Sequence, residues 1–263
     1  MTRRIALLLE YDGTRFAGSQ LQRNAETVQG VLEAAIGRTT LEETRVAFAG
    51  RTDAGVHALG QVASFVTQSA LDPETLRRAL NAWLPQDVVV RLAVEVERGF
   101  DPRRQALRRR YRYVIDNRPV RPALGRDRAW HVATPLDVDA MSVAARGVLG
   151  THDFAPFASR LEDMSASTVR DLSCFDVTRQ HERVICEVVA NAFLPHQVRR
   201  MVGALVEVGK GKLAVEAYAA LLDGAPASAG PAAPPQGLNL VEVTYEADPF
   251  GIVDQANRRT TEQ

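Results

Sequence analysis

Hydrophobic positions in the first hundred residues predict four short strands. Residues 4–10 (RIALLLE) form a compact apolar run, and residues 87–96 (DVVVRLAVEV) are rich in β-branched side chains. Two further strand-like segments, RVAFAG at 45–50 and QVASFV at 61–66, flank a loop that begins and ends in glycine. The pattern therefore predicts a tightly specified loop between two neighbouring strands.

Helical spacing separates these strands at two places. One helix is predicted from Thr27 onward, and a second over residues 72–84, where Asp72 suits the N-cap and Pro73 suits the first helical position. The apolar residues at helical intervals are Val28, Val31, Leu32, Ala35 and Ile36 in the first helix, and Leu76, Ala79, Leu80 and Trp83 in the second. The predicted order is β-α-β-β-α-β, which is the split βαβ or ferredoxin-like arrangement.

A similar order of elements is predicted in the second half of the chain. A strand at 109–115 (RRYRYVI) precedes a helix that begins at Asp137 or Asp139. The remaining predicted elements are a hairpin of strands at 168–178 and 183–190 that turns near His181, helices over 196–208 and 214–222, and a strand at 239–246. We therefore predict an α+β protein with two ferredoxin-like (RRM-like) halves, residues 1–104 and 105–248, followed by a flexible tail at 249–263.

Composition limits the class of protein. With 263 residues, of which 46% are hydrophobic, the chain has ample material for a core, and no apolar run approaches the roughly 20 residues that span a bilayer. The start, MTRRIALLLEYDG, fits a strand better than a signal peptide because an acidic residue follows the apolar run. Cys174 and Cys186 fall on adjacent predicted strands, where a disulfide is conceivable but free thiols are favoured. We expect a cytoplasmic protein.

Basic residues are unevenly distributed although the net charge is zero. Thirty of the 32 are arginine, and ten of these lie between Arg103 and Arg128, with only Asp116 and Asp127 as acids. The planar guanidinium of arginine matches phosphate and stacks on bases, so this segment is a candidate nucleic-acid contact. The alternative, a solvated surface in a protein of arginine-rich composition, stays open at this point.

The loop GRTDAG (50–55) is the strongest candidate for chemistry. Its glycines allow backbone angles that other residues avoid, and Arg51 and Asp53 point to the same side of an extended segment. A carboxylate here could be a nucleophile, a base or an acceptor that fixes a turn. Other signatures are missing from the sequence: Gly209-Lys210-Gly211 lacks the rest of a P-loop, the histidines and cysteines show no metal-ligand spacing, and no G-x-S-x-G motif occurs.

Six blocks in order resemble the bacterial tRNA pseudouridine synthase A family over nearly the whole chain. They are YDGTRFAG (11–18), GRTDAGVHALGQVASF (50–65), RRYRYVI (109–115), GTHDFAPF (150–157), NAFLPHQVRRMVGALVEVG (191–209) and PPQGLNLVEV (234–243). The GRTDAGVH block is nearly diagnostic. One departure is Ser19, which follows the glycine of the first block where the family commonly has an aromatic residue.

The resemblance implies an enzyme that isomerises uridine to pseudouridine at positions 38, 39 and 40 of the tRNA anticodon stem-loop, without a metal or cofactor. It also implies antiparallel sheets of two ferredoxin-like halves that join across a central active-site cleft. Family members are similar in forming homodimers. The expected partners are therefore tRNA and a second copy of the chain, with no membrane.

The resemblance assigns the catalytic carboxylate to Asp53. Arg51, on the same side of the loop, is expected to bind phosphate beside the target and to help hold the base outside the stack. Arg199 matches the arginine that pairs with the carboxylate and keeps it ionised. The adjacent Arg200 would point elsewhere on a helix.

Two further residues are assigned to the uracil ring. Tyr111 matches a tyrosine that stacks on the ring and can handle a proton. Tyr113 would share its strand face and is the competing candidate, although packing is the favoured role for it. Leu238 resembles an apolar residue that lines the uracil pocket, and Leu240 is its alternative.

Two other functions remain open from the residues alone. The same chemistry could act on uridines elsewhere in tRNA or in another RNA. A second alternative is an RNA-binding module that uses RRM-like sheets without catalysis. That module would need exposed aromatic residues on its strands, and aromatic residues make up only 6% of the chain.

Overall fold

Residues 1–159, 167–226 and 228–251 are described by the computed structural model. They form two compact units, one of Met1–Leu107 together with the residues from Val241 onward, and one of Arg108–Leu240. Each unit combines helices with a mostly antiparallel sheet, which confirms the predicted α+β class. The predicted halves and tail stay predictions, and residues 252–263 of the tail lie outside the described part of the chain.

The sheet of the first unit is arranged around β1 (Arg3–Tyr11). Two long strands, β3 (His57–Thr67) and β4 (Val88–Val96), pair antiparallel with its two edges. The short β2 (Ala47–Phe48) pairs with β3. The strand predicted at 45–50 is thus only two residues long, although the Ala49 N–H also donates to the carbonyl of Val62 on β3.

Side-chain caps begin both helices of the first unit. Thr27 caps α1 (Val28–Thr40) and Asp72 caps α2 (Pro73–Trp83), and each accepts a hydrogen bond from the backbone N–H three residues further on. The predicted N-cap at Asp72 is confirmed. The element order of this unit, β-α-β-β-α-β up to β4, also follows the sequence prediction.

Leu41 ends α1 in a conformation that favours glycine. Its φ is +60°, in the left-handed region, and it is 91% exposed, so burial offsets little of the steric cost. Leu41→Gly should therefore raise the free energy of unfolding by about 1 kcal/mol, measured by urea denaturation. The matched control is Leu124→Gly, since Leu124 is 89% exposed without a positive φ. A variant Leu41→Gly no more stable than the original protein would contradict the expectation.

Four antiparallel strands form the sheet of the second unit. The tyrosine-bearing β5 (Ala106–Asp116) pairs with β9 (Arg183–Ala190), which pairs with β8 (Val169–Gln180), and β8 pairs with β7 (Gly150–Asp153). The two-residue β6 (Trp130–His131) runs parallel to β5. The sequence analysis missed β6 and β7, because two to four residues are too few to show a strand period.

Three helices belong to the second unit: α3 (Val138–Arg146), α4 (Gln197–Gly209) and α5 (Val215–Ala220). Asp137 caps α3, which decides between the two predicted starting points. Tyr218 of α5 is fully buried and donates a hydrogen bond to a backbone carbonyl of α4. The helix predicted over 214–222 is shorter than expected and continues as a 3-10 turn.

The last described strand, β10 (Leu238–Tyr245), contributes its residues from Val241 onward to the first unit. There the Tyr245 hydroxyl donates to the carbonyl of Pro102 at 2.8 Å. Among the described residues, no helix has the length and apolar character needed to span a membrane.

Cys174 and Cys186 are free thiols, as favoured by the sequence analysis. They lie on adjacent strands but not opposite each other, since Cys174 is paired with Val189 and Cys186 with Val177. Burial is the main cause that raises the pKa of the Cys186 thiol to about 12, so this thiol stays protonated at neutral pH.

Candidate active site

The loop that carries Asp53 lies in the first unit, between β2 and β3. Burial alternates along it: Thr52 is 6% exposed, whereas Arg51 is exposed and Asp53 is partly exposed. This alternation agrees with the prediction that Arg51 and Asp53 point to one side of an extended segment. The middle residue of the three is thus inside the protein, while the residues on either side of it keep part of their surface exposed.

Hydrogen bonds from two distant segments hold Thr52. Its N–H donates to Ser19 Oγ at 2.8 Å, and its carbonyl accepts from the Ser19 N–H at 3.0 Å. Its hydroxyl lies 2.8 Å from the hydroxyl of Tyr11. Ser19, where the chain departs from the common family pattern, is fully buried and fixes the loop. Sequence reasoning missed these partners, because no local spacing connects them to Thr52.

Backbone contacts fix the two ends of the same loop. The Gln61 side-chain amide donates to the carbonyl of Gly50 at 2.7 Å, and the Gly55 N–H donates to the carbonyl of Phe16 at 3.3 Å. Gly55 has φ +78°, so glycine is needed at this position. The Val56 N–H closes the turn by donating to the Asp53 carbonyl at 3.1 Å.

Gly13 lies directly against the end of the loop. A Cβ atom on Gly13 would stand 2.0 Å from the carbonyl oxygen of Val56. The neighbouring His57 is buried, with Nδ1 at 3.1 Å from the Gly13 nitrogen and 3.0 Å from a carboxylate oxygen of Asp12. The backbone of the YDG block thus packs on the GRTDAG loop without an intervening side chain.

Tyr111 lies on β5 of the second unit, opposite Val188 of β9. The Tyr111 side chain is 7% exposed. Its ring makes an edge-to-face contact with the ring of Phe193, with centroids 5.2 Å apart and an interplanar angle of 89°. Phe193 belongs to the segment that leads into α4, so the ring of Tyr111 is held by a residue that sequence reasoning had not singled out.

Tyr113 is a packing residue, as favoured by the sequence analysis. It is fully buried, its hydroxyl donates to the carbonyl of Pro234 at 2.7 Å, and its ring lies against Gly237 so closely that a Cβ there would be 2.6 Å away. Burial raises the pKa of its hydroxyl far above the usual range. A phenol that is already bonded and this deeply buried is poorly suited to proton transfer.

Arg199 is fixed to the segment that leads into β10. Its Nε donates to the carbonyl of Ala233 at 2.8 Å, and the Ala233 N–H donates back to the Arg199 carbonyl at 2.9 Å. The next arginine, Arg200, donates instead to the carbonyl of Gly230 at 2.9 Å. Adjacent positions on α4 therefore reach different parts of this segment, as expected for neighbours on a helix.

Leu238 is the first residue of β10 and is 5% exposed, while Leu240 is fully buried. Their burial alone does not choose between them. Ala233 and Pro234, which bind Arg199 and Tyr113, lie a few residues before Leu238. In the second unit, one short segment thus links α4, β5 and the start of β10.

The arginines between 103 and 128 do not form one uniform surface. Those that are exposed are Arg103, Arg104, Arg108, Arg121, Arg126 and Arg128. The other four are engaged within the protein. For example, Arg109 is buried and donates to the carbonyl of Asn191, and Arg112 forms an ion pair with Glu187. Counting arginines along the sequence therefore overstates the charge available to phosphate.

Among the residues that the structure describes, no group of three or more His, Cys, Asp or Glu side chains is placed to hold a metal ion. The candidates assigned from the sequence fall into two sets, one in each unit. Arg51 and Asp53 share the loop of the first unit, whereas Tyr111, Arg199 and Leu238 belong to the second.

Comparison with known proteins identifies the family. The family described as tRNA pseudouridine synthase matches residues 8–103 and 144–246. Proteins named tRNA pseudouridine synthase A from Roseiflexus castenholzii, Myxococcus xanthus and Geotalea uraniireducens are 47%, 46% and 44% identical to this chain. The alignments cover 96%, 94% and 92% of this chain and 94%, 93% and 100% of those proteins.

The likeness to solved structures is weaker. A chain in a crystal structure of a Cbf5–Nop10–Gar1 complex is 14% identical with a TM-score of 0.35, and the match covers 77% of this chain and 45% of that one. That likeness supports no argument about function. The sequence matches do, because they extend over most of both partners. The chain belongs to the tRNA pseudouridine synthase family and is an isomerase that acts on uridine in tRNA.

Proposed function

We propose that this enzyme acts on uridines 38, 39 and 40 of the tRNA anticodon stem-loop, with Asp53 as its nucleophile. The observation that best supports a catalytic Asp53 is the loop itself. Thr52 is held in the interior by three hydrogen bonds, and the next residue, Asp53, stays partly exposed. An acceptor that only closed a turn would not need this support.

The chemistry suits a single carboxylate. Isomerisation breaks the bond between C1′ of the ribose and N1 of uracil, turns the base, and joins C1′ to C5. A carboxylate can bond to a carbon of the nucleoside and leave again in the course of the reaction, and the proton that C5 loses on forming the new bond is balanced by the proton that N1 takes up. No co-reactant is consumed. Asp53 is the only acid in the GRTDAG loop, which disfavours a mechanism that needs two carboxylates.

Arg51 is proposed to hold the phosphate beside the target nucleotide. A base inside a stem must leave the stack before it can react, at a cost of a few kcal/mol. A guanidinium on the same side of the loop as the carboxylate can offset part of that cost by a charge-assisted contact with phosphate. Its exposure supports this role.

Tyr111, Arg199 and Leu238 are proposed to complete the machinery. Tyr111 would stack on uracil, and its contact with Phe193 holds the ring in one orientation. Arg199 is proposed to favour the ionised form of the catalytic carboxylate, and its bond to Ala233 orients the guanidinium. Leu238 would supply an apolar wall for the base.

We also propose that both units have ferredoxin-like folds and that the enzyme is a cytoplasmic homodimer. The β-α-β-β-α-β order of the first unit supports the fold. The family resemblance supports the dimer and the location. Light scattering of the purified protein at micromolar concentration tests the dimer, and a monomeric mass would count against it.

The choice of uridine is tested with transcribed, unmodified tRNA. Four transcripts are compared: three that keep uridine at only one of positions 38, 39 and 40, and one with cytidine at all three. Pseudouridine is located by carbodiimide modification and primer extension. We expect product at each single uridine and none in the fourth transcript. If the fourth transcript is modified at another uridine, the proposed positions are wrong, while the assignment as a tRNA pseudouridine synthase stands.

A further inference from the structure

The interior of the first unit holds a cluster of polar side chains with no direct place in the chemistry. Tyr11, Ser19, Thr52 and Gln61 are between 0% and 6% exposed. Such groups are costly to bury unless they are bonded to one another. Here all four side chains are hydrogen-bonded, Gln61 through its amide nitrogen but not through Oε1, and the bonds of Tyr11 and Ser19 meet at Thr52, the residue that precedes Asp53.

Gln61 donates two hydrogen bonds in this cluster. Its Nε2 lies 2.7 Å from the carbonyl oxygen of Gly50, which can only accept. The opposite amide orientation would set two oxygens against each other. The same Nε2 lies 3.4 Å from the Tyr11 hydroxyl and donates to it, and the Tyr11 hydroxyl forms a hydrogen bond of 2.8 Å with Thr52 Oγ1 in which either oxygen can be the donor.

Burial keeps the Tyr11 hydroxyl neutral in this arrangement. Its burial is the main cause that raises the pKa of the hydroxyl to about 12, and the hydrogen bonds with Thr52 and Gln61 only partly oppose that effect. The phenol therefore keeps its proton throughout the neutral range, and the hydrogen bond between the neutral Tyr11 and Thr52 hydroxyls persists there.

Ser19 fixes the backbone of Thr52 from another segment. Its oxygen accepts from the Thr52 N–H, and its own N–H donates to the Thr52 carbonyl. Gly18 makes this approach possible, since its φ is +100° and a Cβ there would lie 2.9 Å from the Thr52 carbonyl oxygen. An aromatic residue at position 19 has no oxygen bonded to Cβ, which is where Ser19 accepts from the Thr52 N–H.

We propose that Ser19 and Tyr11 are positioning residues that fix Asp53 for catalysis by holding Thr52. The proposal rests on Asp53 being the nucleophile. Asp53 follows Thr52 directly. Hydrogen bonds to the N–H, carbonyl and hydroxyl of Thr52 therefore restrict the positions that the Asp53 carboxylate can occupy. A displacement of about 1 Å at a reacting group can cost roughly 100-fold in rate.

Three substitutions test this role in the full-length enzyme with unmodified tRNA. Ser19→Ala removes the acceptor for the Thr52 N–H, Tyr11→Phe removes the hydroxyl that is bonded to Oγ1, and Thr52→Val removes Oγ1 while keeping the shape. Each should lower kcat by about ten-fold to 100-fold with KM and tRNA affinity nearly unchanged. Thr52→Ser keeps the hydroxyl and should recover most of the rate.

Matched controls separate positioning from general loss of packing. Ser64 is fully buried and accepts a bond from Arg4, and Tyr245 is 8% exposed and donates to Pro102. Ser64→Ala and Tyr245→Phe should lower Tm as much as the test variants but leave kcat within about two-fold. If Ser19→Ala, Tyr11→Phe and Thr52→Val match these controls in kcat while Asp53→Asn is inactive, the positioning role is wrong and the nucleophile stands. An active Asp53→Asn enzyme would instead remove the nucleophile itself.

Discussion

Asp53→Asn should abolish pseudouridine formation and leave a folded protein that still binds tRNA. Loss of a nucleophile typically lowers kcat by about 10⁴-fold or more, which corresponds to about 5.5 kcal/mol of transition-state stabilisation. Asparagine keeps the size of the side chain. The hydrogen bonds that hold Thr52 do not involve the Asp53 side chain, and the bond from the Val56 N–H goes to the backbone carbonyl of Asp53.

The suitable measurement is the rate of pseudouridine formation in a single turnover, with enzyme in excess over tRNA. This rate separates the chemical step from substrate binding and product release. The control is Asp223→Asn, which removes an exposed carboxylate in the second unit. We expect the control to react at the original rate. Conversion by Asp53→Asn within about ten-fold of the original rate would exclude Asp53 as the nucleophile, whatever its effect on Tm.

Local patterns were enough to predict much of the fold. The helix starts at Thr27, Asp72 and Asp137 depend on a side chain and an N–H three residues away, so both partners are visible in a short window. Strand periodicity is equally local. The loop around Asp53 was also recognisable, since its glycines, arginine and aspartate are neighbours in the chain. Its family role came from resemblance, because the residues alone favoured a side chain that closes a turn over a catalytic one.

Contacts between distant residues could not be predicted. Ser19 and Tyr11 are 33 and 41 residues from Thr52, and an isolated serine or tyrosine in the sequence gives no sign of its partner. The arginines show the same limit. Arg112 is 75 residues from Glu187, so the charge that the sequence seemed to offer to phosphate is partly neutralised in the folded chain. The length of β2 depends on its pairing with β3 in the same way.

Gly13→Ala should destabilise the protein by about 3 kcal/mol and also slow catalysis. The new Cβ would lie 2.0 Å from the carbonyl oxygen and 2.6 Å from the carbonyl carbon of Val56. Both atoms belong to the backbone, so no side-chain rotation can relieve the clash, and overpacking of this kind typically costs 1–3 kcal/mol or more. Since the Val56 N–H bonds to the Asp53 carbonyl, the displaced segment is the one that carries the catalytic carboxylate.

The matched control for this substitution is Gly99→Ala, because Gly99 lies in the same unit and a Cβ there would meet nothing within 4 Å. Alanine at such a site should change the free energy of unfolding by no more than about 0.5 kcal/mol. A slight increase is expected, because alanine restricts the unfolded chain more than glycine does. Urea denaturation and single-turnover rates of both variants, measured well below the lower Tm, separate the two effects. If Gly13→Ala is as stable and as active as Gly99→Ala, the YDG backbone does not support the loop. A stability loss with an unchanged rate would show that the contact holds the unit together without setting the position of Asp53.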